Sequence, residues 1–134
     1  MTNSKSGTGM KKIIFTEMAP RPVGPYSQAV EKNGMLFIAG QVPVNPETGA
    51  VVPGGIQEQT RQVMENTGAI LRAAGYDFSD VVKSTCFLSD MSDFKAMNEV
   101  YAGYYPVDPP ARAAFAVRQL PLGALVEIET IAVK

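Results

Sequence analysis

The chain reads as an α+β protein of one domain. It is expected to form a single mixed six-stranded sheet with two helices on one face, in the order β-β-β-α-β-α-β-β. Three observations predict this. Two segments carry apolar residues at the spacing of a helix buried on one side. Around them lie six short runs of apolar and β-branched residues, separated by proline, glycine and asparagine. A chain of 134 residues, 46% hydrophobic and 19% charged, suffices for one sizeable core but not comfortably for two.

The first strand is read at residues 12–17 (KIIFTE). Pro20, Pro22 and Pro25 then force extended or turn geometry, because proline fixes its own φ and biases the residue before it. A second strand over 27–31 and a third over 35–39 are joined at Asn33-Gly34, a dipeptide suited to a tight hairpin. Residues 44–55 hold two prolines and three glycines and form a turn-rich loop. The helix over 56–74 aligns Ile56, Val63, Met64, Ile70, Leu71 and Ala74 on one face, and Gly75 suits its stop. Residues 81–88 (VVKSTCFL) form a β-branched strand. Ser92 is the expected N-cap of a second helix over 93–105, with Phe94, Met97, Tyr101 and Tyr104 as its apolar face. Pro106, Pro109 and Pro110 end it, and the last strands follow at 111–118 and 125–133. Residues 1–10 are expected to be a flexible tail and 11–134 the folded domain.

Two helices cover only one face of such a sheet. In the last strand Val126, Ile128, Thr130 and Ala132 suit the helix side. The other set, Leu125, Glu127, Glu129, Ile131 and Val133, is half apolar. A symmetric oligomer packing sheet against sheet would cover it.

Composition removes several function classes. A net charge of −1 and the lack of a basic cluster give no reason to expect nucleic acid as a partner. No apolar run approaches the roughly 20 residues of a membrane helix, and the first residues do not read as a signal peptide. With one cysteine, a cytoplasmic protein without an intramolecular disulfide is expected. The chain has no histidine, which removes a Ser-His-Asp triad, a Cys-His pair and a histidine-ligated metal. Cys86, among Thr85, Phe87 and Leu88, reads as a core residue rather than a nucleophile.

Two polar features remain. Arg112 begins a strand whose same face carries Ala114 and Ala116, leaving room around a guanidinium whose planar fork matches a carboxylate. It reads either as a binding group or as a solvated arginine at a strand end. Glu127 and Glu129 share one face of an otherwise apolar strand. A carboxylate there is either paired, with Arg118 for example, or has a raised pKa and can deprotonate a water. If the last two strands formed a simple hairpin, Arg112 and Glu127 would lie roughly 13 Å apart and could not share a small ligand. They converge only if the strands are not hairpin partners, or across a subunit boundary.

Several spaced segments resemble the Rid/YjgF family: VGPYSQA at 23–29, AGQVP at 39–43, NPETG at 45–49, PARAA at 110–114 and VEIE at 126–129. The resemblance runs in register from about residue 12 to residue 134. It implies a chorismate-mutase-like fold and a homotrimer with sites between subunits. It also implies hydrolysis of reactive 2-imino acids, such as 2-iminobutanoate and 2-iminopropanoate, to 2-keto acids and ammonia, with no cofactor. Carried over by position, Arg112 matches the arginine that holds the substrate carboxylate and Glu127 the glutamate beside the attacking water. Tyr26, Gly40 and Asn98 match pocket residues. Ala39 stands where many members have serine and Ala114 where many have cysteine, a position that acts through its backbone carbonyl. Two other readings stay open: a trimer that senses a small carboxylate without chemistry, and an endoribonuclease or translation inhibitor.

Overall fold

The structure is a computed structural model and describes residues 10–134. The expected N-terminal tail lies, through residue 9, outside the described residues. Six strands form one mixed sheet: β1 (Lys12–Ile14), β2 (Ala29–Lys32), β3 (Met35–Gln41), β4 (Val81–Leu88), β5 (Ala111–Ala116) and β6 (Val126–Val133). Two α-helices, α1 (Ile56–Ala73) and α2 (Phe94–Ala102), pack on one face. Fold class and element order are those the sequence predicts.

The spatial order is β1-β2-β3-β6-β4-β5. Every neighbouring pair is antiparallel except β4 with β5, which is parallel. A hairpin between the last two strands is therefore absent, because β4 lies between them. A parallel pair needs a long crossover, and α2 supplies it.

Local chemistry accounts for the boundaries. Asn33 and Gly34 hold φ of 54° and 76°, the left-handed pair a two-residue hairpin turn requires. On α1 the Glu58 carboxylate accepts the Gly55 amide at 2.9 Å, closing the helix start. At the other end Gly75, with φ of 82°, turns the chain away. Between them Val63, Met64, Ile70 and Leu71 are fully buried, each contributing about 1.5–3 kcal/mol against exposure. They meet Leu36, Ile38, Cys86, Leu88, Val126 and Ile128 from the sheet in one core.

Several expected ends move. β1 stops at Ile14 and β2 starts at Ala29, where the intervening proline-rich loop is gathered by buried Gln28. Its amide donates to the carbonyls of Thr16, Ala19 and Pro20 and accepts from the Thr16 amide. β5 ends at Ala116, two residues short of the expected end. Ser92 is not the cap of α2. Asp90 accepts the Ser92 amide at 2.8 Å and starts a separate 3-10 turn, Met91–Asp93, from which α2 begins. α2 closes at Gly103, three residues early, because glycine weakens the helix and Pro106 disfavours helical backbone at Tyr105.

β3 is extended to Gln41 by an irregularity. Ile38 pairs with Thr130 and Gln41 with Ile128, so Ala39 and Gly40 together face Glu129. This is a β-bulge, and it re-aims the two residues it contains. Below it, Asn66 of α1 donates to the carbonyls of Val42 and Val44 and fixes the loop that follows β3. Among the described residues no helix is long and apolar enough to cross a membrane.

Candidate active site

The register across the sheet settles where the two principal candidates point. Arg112 on β5 is opposite Ser84 on β4, and Ser84 is fully buried on the helix side. Glu127 on β6 is opposite Phe87. Residues 84 and 87 are three apart on one strand, so they project to opposite faces. Arg112 therefore belongs to the helix face and Glu127 to the open face. Two strand spacings and three residue rises separate them by about 14 Å within one chain. The predicted residues form two groups rather than one pocket.

The first group lies between α2 and β5. The Arg112 Nη1 donates to the Asn98 side-chain oxygen at 2.7 Å. Its guanidinium carbon lies 4.9 Å from the centre of the Tyr101 ring and 5.4 Å from that of Phe94. Ala114 follows on the same face, opposite Cys86, and its small side chain leaves the guanidinium uncrowded. Asn98, Tyr101, Tyr105, Pro109, Pro110 and Arg112 line a cavity of about 420 Å³. Among the described residues the ion pair is Arg21 with Glu17, so no carboxylate of these residues neutralises Arg112.

The second group gathers at the bulge. Gly40 lies so close to the Glu127 carboxylate that any Cβ at this position would collide with its Oε2. Ala39 lines a hollow on the open face with Tyr26 and Glu129. Tyr26, 53% exposed, also borders a second hollow with Gly40 and Leu122, and its hydroxyl accepts the Val23 amide at 3.3 Å. Burial, with the negative charge of Glu129 second, pushes the Glu127 carboxyl above the ordinary carboxylate range. Glu127 has no ion-pair partner among the described residues, so the alternative of a structural pair with Arg118 is not what the structure contains.

A family model for Endoribonuclease L-PSP matches residues 16–134. The chain belongs to the Rid/YjgF family. It is 58% identical over 125 residues to a RutC family protein of Pyrococcus horikoshii, covering 93% of this chain and 99% of that one. It is 50% identical to the 2-iminobutanoate/2-iminopropanoate deaminase of Mus musculus, covering 93% of each. The crystal structure of E. coli TdcF with bound serine superimposes with a TM-score of 0.87 at 42% identity, covering 92% of this chain and 98% of that one.

Within this Rid/YjgF chain, sequence reasoning missed the two rings on Arg112. Phe94, Asn98 and Tyr101 are spaced by four and three, so they form one stripe on α2, and that spacing was the available signal. Gln28 was also missed, since a glutamine between serine and alanine carries no mark of its burial. Cys86 is where the sequence puts it: fully buried, with its thiol pushed up to about 11 by desolvation.

Proposed function

We propose that the chain is a cytoplasmic imine deaminase, a homotrimer that hydrolyses 2-iminobutanoate and 2-iminopropanoate to the 2-keto acids and ammonia without a cofactor. The observation that carries the reading is Arg112: a guanidinium at a cavity, with a neutral hydrogen-bond partner and, among the described residues, no carboxylate to neutralise it. Such a group suits a small carboxylate bound through the fork.

In this reading Arg112 clamps the substrate carboxylate, and Tyr26, Ala39, Gly40 and Asn98 wall the pocket. Glu127 takes a proton from a water as its oxygen attacks C2, with the Ala114 carbonyl steadying that water. The proton passes to the imine nitrogen, giving a carbinolamine. Glu127 then moves the hydroxyl proton to the amino group. The C–N bond breaks, its electron pair leaves with ammonia, and the oxygen closes the carbonyl. One water is consumed. Free imines already hydrolyse in water, so positioning and modest proton transfer suffice. A carboxyl held above its usual range is a better proton donor near neutrality than an ordinary glutamate.

Arg112 and Glu127 of one chain lie on opposite faces, so the reading requires each site to be shared. Arg112, Asn98 and Ala114 come from one copy, and Tyr26, Ala39, Gly40 and Glu127 from its neighbour. The open sheet face supports an association of copies. It carries Val30, Phe37, Phe87, Phe115 and Ile131, with Phe37 43% and Phe115 45% exposed.

The test couples a threonine or serine dehydratase to the protein and follows imine loss with semicarbazide as trap. Wild type accelerates the loss, and Arg112→Ala and Glu127→Gln abolish the acceleration. Trimers assembled from equal amounts of the two variants regain activity at about one site in four. No acceleration by folded wild-type trimer would favour carboxylate sensing without chemistry. No recovery in the mixed trimers would refute the shared site.

A further inference from the structure

An arginine that must bind an anion needs to be held still without being neutralised. A carboxylate neighbour would fix it but would compete with the ligand for the same N–H groups. Arg112 is fixed differently. One terminal nitrogen donates to the uncharged oxygen of Asn98. Its guanidinium carbon lies near the two rings of α2, Tyr101 and Phe94. Aromatic faces attract a guanidinium through the ring quadrupole and leave the N–H edge available.

The Tyr101 ring is itself braced. It is 6% exposed, and the Tyr105 ring packs against it at 4.9 Å between centroids. Tyr105 meets Phe78 edge-on at 5.5 Å, and Phe78 approaches α1 at Gly68, where an added Cβ would touch its ring at 3.0 Å. A row of rings thus runs from α1 to the arginine. The Tyr101 hydroxyl is buried without a well-formed hydrogen bond. The buried Ser84 hydroxyl is its polar neighbour, and it is the ring, not the hydroxyl, that meets the guanidinium.

We propose that Tyr101 and Phe94 are positioning residues for Arg112, holding the plane of its guanidinium so that the unpaired N–H edge meets the carboxylate of the ligand. This rests on the reading of Arg112 as the carboxylate clamp. The effect belongs to the ring, not to the phenol hydroxyl, and it acts on binding of the carboxylate more than on the proton transfers at the other group.

The experiment measures binding of 2-oxobutanoate, which cannot be deaminated, by calorimetry, together with KM and kcat for imine loss. Tyr101→Phe is expected to bind within about twofold of wild type. Tyr101→Leu is expected to weaken binding roughly 3- to 30-fold and to raise KM by a similar factor, with kcat changed far less. Wild-type affinity in a folded Tyr101→Leu protein would overturn the proposal, as would an equal loss in Tyr101→Phe, which would assign the effect to the hydroxyl. Should Tyr101→Leu fail to fold, half-buried Phe94→Leu decides: a several-fold loss of affinity supports the proposal and unchanged affinity overturns it. Arg112→Ala is the separate control. If it binds 2-oxobutanoate as wild type does, the clamp reading itself falls, whatever the ring variants do.

Discussion

Replacing Gly40 by alanine puts a methyl group where the Glu127 carboxylate lies. The new Cβ would overlap Oε2 and lie 3.0 Å from Cδ and 3.2 Å from Cγ of Glu127. Gly40 is not among the positive-φ glycines, so alanine fits the backbone and the collision is with the side chain alone. The carboxylate end must retreat by about 1 Å or more to regain ordinary van der Waals separation. Moving a glutamate off its preferred rotamer costs about 0.5–1.5 kcal/mol, so the fold survives. Catalysis is less tolerant, since a misplacement of about 1 Å costs about 100-fold in rate, or about 2.7 kcal/mol of barrier. The expected outcome for Gly40→Ala is a folded protein with a melting temperature within a few degrees of wild type and, on the proposed activity, kcat for imine loss lowered about 100-fold. Glu127→Gln removes the same group chemically, so Gly40→Ala added to it should cost little more. A Gly40→Ala protein with wild-type kcat, or a double variant whose losses simply add, would refute the coupling of Gly40 to Glu127.

Arg112→Lys keeps the charge but loses the fork, and should lower kcat/KM roughly 10- to 150-fold, the loss of one charge-assisted hydrogen bond worth about 1.5–3 kcal/mol. The pH–rate profile should fall on its acid side through a pKa above the ordinary glutamate value, because in the proposed mechanism Glu127 is ionised to take the proton of water. Glu129→Gln removes one cause of that elevation and should move the acid limb to lower pH. For stability the sign is opposite to that of a salt-bridged acid. The folded chain holds the Glu127 proton more tightly than the unfolded chain, so the stabilisation is complete below the unfolded pKa and is lost as pH rises through the folded one. Glu127→Gln should therefore unfold at higher denaturant concentration than wild type at pH 7. Asn66→Ala leaves the Val42 and Val44 carbonyls without their buried donor and should cost about 1–3 kcal/mol in denaturant unfolding.

The parts of the fold written in short-range chemistry were legible. Asn33-Gly34 makes the hairpin, Gly75 stops α1, and the β-branched run at Val81–Leu88 is the strand expected, residue for residue. What could not be read depends on partners far along the chain. The bulge at Ala39 and Gly40 exists only because β6 pairs with β3 on both sides of it. The insertion of β4 between β5 and β6 decides that Arg112 and Glu127 face opposite ways, and no local pattern encodes strand order. The candidate residues were legible as a set through spaced motifs. Their division into two groups was not, because it follows from the register of Ser84 and Phe87. The Ser92 cap failed for a local reason: Asp90, two residues earlier, accepts the Ser92 amide and opens a 3-10 turn, so Ser92 lies inside that turn rather than ahead of α2.

The sheet order has a consequence for synthesis. β6, the last strand to emerge, lies at the middle of the sheet, and β3 and β4 touch only through it. Until Val126–Val133 leaves the ribosome, the nascent chain holds two sheet pieces with no strand pairing between them, a β1-β2-β3 meander and a β4-α2-β5 unit, bridged by α1 packed on β3 and α2. Each presents a bare strand edge able to pair with the wrong chain. Closure of the sheet must therefore wait for β6, in one late event of high sequence separation, and its rate should be slow for a domain of this size. A chain interrupted before Val126 has no seam to close and should be a substrate for chaperones and proteases rather than a smaller version of the native state.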